Sequence, residues 1–248
     1  MRPRRPLKVV FMGASGVGKT SLVRAYMHGS FSDMQESTIG GAYSSLTMRF
    51  DARRARLVPQ SGPFAGRSEP PVEDDGPASA ALSSLVAAPG ELWTVEVWDT
   101  AGQERYATLL PMYYRTADVV VVVHDATSSA LDRAQQCLAA VETECVGNPV
   151  VLVVQNKADV LLQPAVACEW QQGLQANHLR TALASAKHDR GFRAPLESAM
   201  AEAVERRLAR CQAEGDSDLA NDLEITRSLG PSRALEAAWS AATQATCC

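Results

Sequence analysis

The feature that most constrains this 248-residue chain is a short glycine-rich turn near its start. Gly13-Ala14-Ser15-Gly16-Val17-Gly18-Lys19-Thr20 follows the apolar run Leu7 to Met12 and leads into Gly18 to His28, where apolar residues recur at helical spacing. This is a full G-x-x-x-x-G-K-[ST] pattern in the strand-to-helix context that it requires. Glycines let the backbone bend until successive N–H groups point inward, and the following helix adds the positive end of its dipole. A turn of this kind is built to hold phosphate, and Ser15, Gly16, Val17, Gly18, Lys19, Thr20 and Ser21 form its candidate site. Lys19 is suited to neutralising β- and γ-phosphates, and the Thr20 hydroxyl to ligating Mg²⁺ in an octahedral shell that keeps waters.

The rest of the chain continues the same rhythm. Val119–Val123 and Val150–Val154 are apolar without alternation, as strands covered on both faces are. Ala130–Cys145, Pro164–His178 and Pro195–Arg210 carry helical spacing, the last with Leu196, Met200, Val204 and Leu208 on one stripe. Leu92–Trp98 reads as a further strand and Leu179–Ser185 as an edge strand. The expected class is α/β, with a mostly parallel sheet and helices on both faces.

Two regions break the pattern. Residues 51–90 hold six of the 13 prolines and show no periodicity, which predicts a flexible insertion. The strand after Thr38 should run away from the phosphates and Leu92–Trp98 should return to them, so this insertion is expected at the end opposite the nucleotide. From Cys211 onward, six acidic residues face only Arg227 and Arg233, which accounts for the whole formal charge of -4. With no basic excess, nucleic acid is not an expected partner. Six cysteines without a C-x-x-C pair fit a reducing compartment. The basic start, Met1 to Pro6, is followed by too short an apolar run for a signal peptide, and no apolar stretch approaches the length of a bilayer span.

A phosphate loop alone leaves ATPases, kinases and GTPases open. The base signal comes from Asn156-Lys157-Ala158-Asp159 and Ser185-Ala186-Lys187, which stand at two successive strand ends. A carboxylate at Asp159 can accept two parallel bonds from guanine N1–H and its 2-amino group, a donor pair that adenine lacks. Asn156 would brace the loop, the Lys157 stem would lie along the base, and the Ala186 N–H would meet the guanine carbonyl. Trp98-Asp99-Thr100-Ala101-Gly102-Gln103-Glu104-Arg105 then supplies the response to a third phosphate. Asp99 would hold Mg²⁺ through water, the Gly102 N–H would meet the γ-phosphate, and Gln103 would orient the attacking water as the catalytic residue. Thr38, in Ser37-Thr38-Ile39-Gly40, offers Mg²⁺ a second hydroxyl. Loops that contact groups absent from the diphosphate state should order with GTP and loosen after hydrolysis.

Taken in order, GASGVGKTS, STIG, WDTAGQER, NKAD and SAK resemble the Rab family of Ras-like small GTPases, over roughly residues 7–210 apart from the insertion. Phe31 to Gly40, and Arg105-Tyr106 through Arg115, look most like the early-endosomal subgroup. The resemblance implies a P-loop small GTPase fold with a six-stranded sheet containing one antiparallel strand. It divides the chain into a basic extension 1–6, a GTPase domain 7–210 with the 51–90 insertion, and a hypervariable tail 211–248. It also implies that Phe31 packs on the guanine edge, alongside Asn156, Lys157, Asp159, Ser185, Ala186 and Lys187. Tyr43, Trp98 and Tyr113 match the family's aromatic effector surface, and Cys247-Cys248 its double geranylgeranylation signal. Two lipids anchor stably without a polybasic patch, which the tail lacks.

The implied activity is slow GTP hydrolysis by a membrane-anchored switch in vesicle and endosomal traffic, with Mg²⁺ as cofactor and GTP and GDP as substrate and product. Its implied partners are an exchange factor, a GTPase-activating protein, a GDP-dissociation inhibitor or escort protein, a prenyltransferase and effectors. The expected place is the cytosolic face of early endosomes, and the cytosol when GDP-bound. His124-Asp125-Ala126-Thr127 departs from the usual Tyr-Asp-Ile-Thr, Gly41 stands where the subgroup typically has Ala, and Ala184 replaces a usual Thr. A nucleotide-binding interaction module without significant hydrolysis is the alternative. A P-loop kinase is disfavoured by the guanine motifs and Gln103.

Overall fold

The computed structural model describes residues 5–34, 36–38, 40–51, 56–60, 91–102, 108–126, 132–161 and 179–213. Among them, in chain order, are β1 (Leu7–Met12), α1 (Lys19–His28), β2 (Gly41–Asp51), β3 (Arg56–Pro59), β4 (Glu91–Thr100), α2 (Leu110–Tyr114), β5 (Val119–Asp125), α3 (Asp132–Glu144), β6 (Val150–Asn156), β7 (Arg180–Leu183) and α4 (Arg193–Ala213). The strands form one sheet in the order β3-β2-β4-β1-β5-β6-β7. β2 runs antiparallel to both of its neighbours, while β4, β1, β5, β6 and β7 are mutually parallel.

Burial explains the order. All five valines of Val119–Val123 are fully buried, so β5 occupies the middle of the sheet, where both faces are covered. On one face Leu7, Val9, Phe11, Val95 and Val121 pack against Leu22 and Tyr26 of α1 and Leu196, Met200 and Val204 of α4. On the other, Val10, Met12, Val120 and Val122 meet Leu110 and Tyr114 of α2 and Cys137, Leu138 and Val141 of α3. Phe192 closes the first core edge-on, 5.8 Å from Phe11 and 6.2 Å from Tyr26 between ring centroids. Helices on both faces are as the sequence predicts, and the stripe on α4 holds with Leu208 packed at its margin.

The sheet corrects the sequence reading in two respects. It has seven strands among the described residues where six were expected, and the insertion begins later than residue 51. Asp51 closes β2, and Arg56–Pro59 pair back on it with Leu57 opposite Phe50 and Pro59 opposite Met48. Leu57 is fully buried, and Pro59 is tolerated because β3 is an edge strand that can spare an N–H. α4 likewise continues to Ala213, past the expected start of the tail. The helix predicted at Pro164–His178, residues 1–4, residues 61–90 and the tail beyond 213 lie outside the described residues.

Register positions the site. Phe11 stands opposite Asp99 and Gly41 opposite Thr100, whereas Phe50 stands opposite Glu91 at the far end. The turns after β1, β4, β5 and β6 therefore share one edge, with β1 flanked by strands reached in opposite directions. In open α/β sheets this is where ligands bind. Glu91 stands at the opposite end, as the strand directions predict, whereas β3 runs back along β2 and leaves the Gln60 N–H bonded to the Thr47 carbonyl, part-way along the sheet.

Candidate functional site

The turn after β1 is held open by residues from other strands. Gly18 caps α1 at φ 92°, and a Cβ there would lie 2.3 Å from Asn156 Nδ2, so both torsion and space require glycine. Lys19 is buried beneath the turn and its Nζ donates to the carbonyls of Gly13 at 3.1 Å and Ala14 at 2.8 Å. Burial lowers its ammonium to about 8, with nearby Asp99 pulling the other way.

Three oxygen donors predicted for Mg²⁺ converge beside it. Thr20 Oγ1 donates to Asp99 Oδ2 at 2.5 Å and lies 2.7 Å from Thr38 Oγ1. Asp99 is buried, which pushes its carboxyl up against the opposing effects of the Thr20 bond and Lys19. Its Oδ1 is buried with no hydrogen-bond partner among the described residues. Hard oxygens, one carboxylate and an unsatisfied buried acceptor fit a Mg²⁺ ion that completes its shell with phosphate and water. Gly102 lies against the same turn, where a Cβ would stand 2.4 Å from the Ala14 carbonyl oxygen and 2.5 Å from Lys19 Nζ. That close approach brings the segment after Asp99 onto the phosphate loop. Gln103 lies outside the described residues.

A cavity of about 380 Å³ runs from this point to the far side of the turn. Ser15, Gly16, Gly18, Lys19, Thr20, Ser21, Thr38 and Gly102 line its phosphate end; Phe31, Asn156, Lys157, Asp159, Ala186 and Lys187 line the other. Asn156 is the brace. Its Nδ2 donates to the Val17 carbonyl at 2.9 Å and its Oδ1 accepts from the Ala186 N–H at 3.1 Å, tying three loops together. The Ala186 N–H, expected to face the base carbonyl, donates to this brace, and Ala186 lines the cavity. Ser185 also lies behind the pocket wall: its hydroxyl donates to Asp159 Oδ1 at 2.5 Å and holds that carboxyl below the usual range. Asp159 itself is exposed to the cavity, and a carboxylate can accept further bonds. Val17 contributes its carbonyl to Asn156 and is not part of the lining.

Lys157 adopts a left-handed φ of 64° and its ammonium bonds Asp125 Oδ2 at 2.6 Å, which leaves its stem along the cavity wall. Asp125 was not singled out from sequence, although its place at the end of the neighbouring strand, opposite Asn156, was the available signal. Phe31 stands at the rim, 38% exposed, and Lys187 reaches Asp33 at 4.0 Å nearby.

Tyr43, Trp98 and Tyr113 form one contiguous aromatic group on the face next to Thr38 and Gly102. Ring centroids are 5.0 Å apart for Tyr43 and Trp98 and 5.6 Å for Trp98 and Tyr113. Tyr43 is 52% exposed. Two charges that sequence reasoning passed over frame the group: Lys8 Nζ lies 5.3 Å from the Trp98 ring centre, and Glu96 accepts from the Tyr43 hydroxyl at 3.4 Å. Cys247 and Cys248 lie outside the described residues, and among those described no helix is long and apolar enough to cross a membrane.

A mostly parallel sheet with a glycine-rich phosphate loop at its switch point defines a P-loop nucleotide-binding domain. Residues 78–205, more than half of the chain, match the Ras family, and residues 8–57, with the phosphate loop, match the Roc domain described as Ras of Complex, Roc, domain of DAPkinase. The chain belongs to the Ras family. Its domain is that of a GTP-binding switch. Domains of this family bind GTP and GDP, typically with Mg²⁺, generally hydrolyse GTP, and interact with exchange factors, activating proteins and effectors.

Proposed function

We propose that this chain is a Rab-type switch that binds GTP with Mg²⁺, hydrolyses it slowly, and recruits effectors through the Tyr43, Trp98 and Tyr113 surface. The observation that carries the switch is the convergence of Thr20, Thr38 and Asp99, three oxygen donors drawn from α1, the segment before β2 and the end of β4. Thr38 and Gly102 both line the phosphate end of the cavity, so a γ-phosphate favours one arrangement of both segments. Bound Mg²⁺ would neutralise charge on the β- and γ-phosphates, with Thr20, Thr38 and Asp99 holding it. Lys19 adds a fixed cation, Asp159 selects guanine, Asn156 keeps the three loops in register, and Gln103 orients the attacking water.

The Rab assignment rests on the WDTAGQER and STIG strings and on the aromatic group beside them. With it come lipidation at Cys247 and Cys248, handling by an escort protein, prenyltransferase and GDP-dissociation inhibitor, and service on early endosomes. Single-turnover GTP hydrolysis with and without Mg²⁺, in wild type and Gln103→Leu, tests the activity. Mg²⁺-dependent turnover slowed at least tenfold by the substitution is expected. Equal turnover in both proteins removes Gln103 from the mechanism. For the anchor, Cys247→Ser with Cys248→Ser should move the protein from the membrane to the soluble fraction while nucleotide binding is unchanged. Continued sedimentation with membranes points to a different attachment.

A further inference from the structure

α1 ends where the base end of the cavity begins. Its last turn is closed by Gly29, whose N–H bonds the Ala25 carbonyl at 3.0 Å, and just beyond it Phe31 reaches the cavity rim. Ala186 and Lys187, which line the same end, belong to a loop with its own closure. Ser185 and Arg190 exchange backbone bonds at 3.0 and 3.1 Å, and Asp189 turns the loop at a left-handed φ of 47°. Arg193, the first residue of α4, stands between these two segments. Its Nη2 donates to the Tyr26 carbonyl at 3.3 Å and the Ala25 carbonyl at 3.5 Å, and lies 3.8 Å from Asp189 Oδ2. A cation there complements the negative end of the α1 dipole. The guanidinium also lies over the Tyr26 ring, 4.8 Å from its centre, and a planar group stacked in this way keeps its orientation.

We propose that Arg193 is a positioning residue for the base end of the cavity: it ties the end of α1, and with it the Phe31 rim, to the Ala186–Lys187 loop, and so sets how fast a guanine nucleotide leaves. Apolar packing between α1 and the start of α4 is already supplied by Phe192 against Tyr26. The guanidinium adds what a phenyl ring cannot, a polar link that reaches the α1 carbonyls and the Asp189 carboxylate from one nitrogen. A second tie across the same rim, Lys187 to Asp33 at 4.0 Å, joins two exposed side chains and is screened by water. Arg193 is mostly buried and is therefore the firmer of the two. Without it the rim and the loop are free to part at the base, while Lys19, Thr20, Thr38 and Asp99 keep their contacts at the phosphate end. This inference rests on the reading that the cavity holds a guanine nucleotide.

The test times release of fluorescent GDP, with Mg²⁺ present, from the full chain as wild type, Arg193→Met, Asp189→Asn and the double variant, and measures ADP affinity by competition. Methionine keeps a stem against the Tyr26 ring and removes the donor; asparagine removes the Asp189 charge and still tolerates the left-handed turn. Arg193→Met should release GDP about tenfold faster, the worth of a hydrogen bond to a charged group. ADP draws little from the base end, because adenine offers Asp159 no paired donors, so its affinity should change by less than about twofold. Asp189→Asn should speed release by a smaller factor, and the double variant should release no faster than Arg193→Met, since both changes cut one link. GDP and ADP weakened by the same factor would mean that Arg193 only stabilises the fold, and multiplying effects in the double variant would mean that the two residues act apart; either overturns the tie. Wild-type release from Arg193→Met, in a chain that prefers GDP to ADP, overturns this inference alone. A wild-type chain without that preference removes the guanine reading itself, and this inference with it.

Discussion

Replacing Asn156 with Ala should destabilise the whole nucleotide end of the domain, and the size follows from its two bonds. The side chain is 1% exposed, so neither the Val17 carbonyl nor the Ala186 N–H that it satisfies has ready access to solvent. Each buried group left without a partner costs about 1–3 kcal/mol, and water entering the vacated space recovers part of that. A net loss of about 2–4 kcal/mol is expected, or roughly 5–15 °C in melting temperature for a domain of this size. Circular dichroism melts at fixed GDP and Mg²⁺ measure it, with Ser45→Ala on the exposed face of β2 as the control. GDP affinity should fall in the same variant, because Val17 lies in the phosphate loop and Ala186 in the base loop. A melting temperature within about 2 °C of wild type would refute the brace.

Gly102→Ala should weaken binding of the triphosphate more than the diphosphate, since its methyl would overlap the Ala14 carbonyl and Lys19 Nζ; equal affinities for GTP and GDP relative to wild type, by fluorescent-nucleotide titration, would contradict this. His124 is buried, which lowers its imidazole from 6.5 to about 4. The unfolded chain therefore binds the proton first, and stability falls as pH drops from about 6.5 towards 4, at up to about 1.4 kcal/mol per pH unit. Urea midpoints at pH 7 and pH 5 should differ less in His124→Tyr than in wild type, and an equal difference removes His124 as the cause.

What the sequence made legible was chemistry carried by contiguous residues. The phosphate loop, Asp99-Thr100-Ala101-Gly102 and Asn156 to Asp159 each sit at one strand end, and parallel connections bring those ends together. β3 was hidden because its inward signal is two residues, Leu57 and Pro59, inside a proline-rich stretch. The partners of Asn156 were hidden for another reason: Val17 and Ala186 are distant in sequence, and a backbone N–H looks the same whether it serves a ligand or a side chain. Lys8 and Glu96 came to the aromatic group through register alone, since they face each other across β1 and β4.

The central claim is that this cavity selects a guanine nucleotide. Titrating the wild-type chain with fluorescent GDP and ADP in the presence of Mg²⁺ tests it without any partner, membrane or hydrolysis step. A site whose carboxylate is matched to guanine's paired donors should prefer GDP by about 10⁴-fold or more, and Asp159→Asn should erase most of that preference. Comparable affinities for GDP and ADP in the wild-type chain would contradict the account.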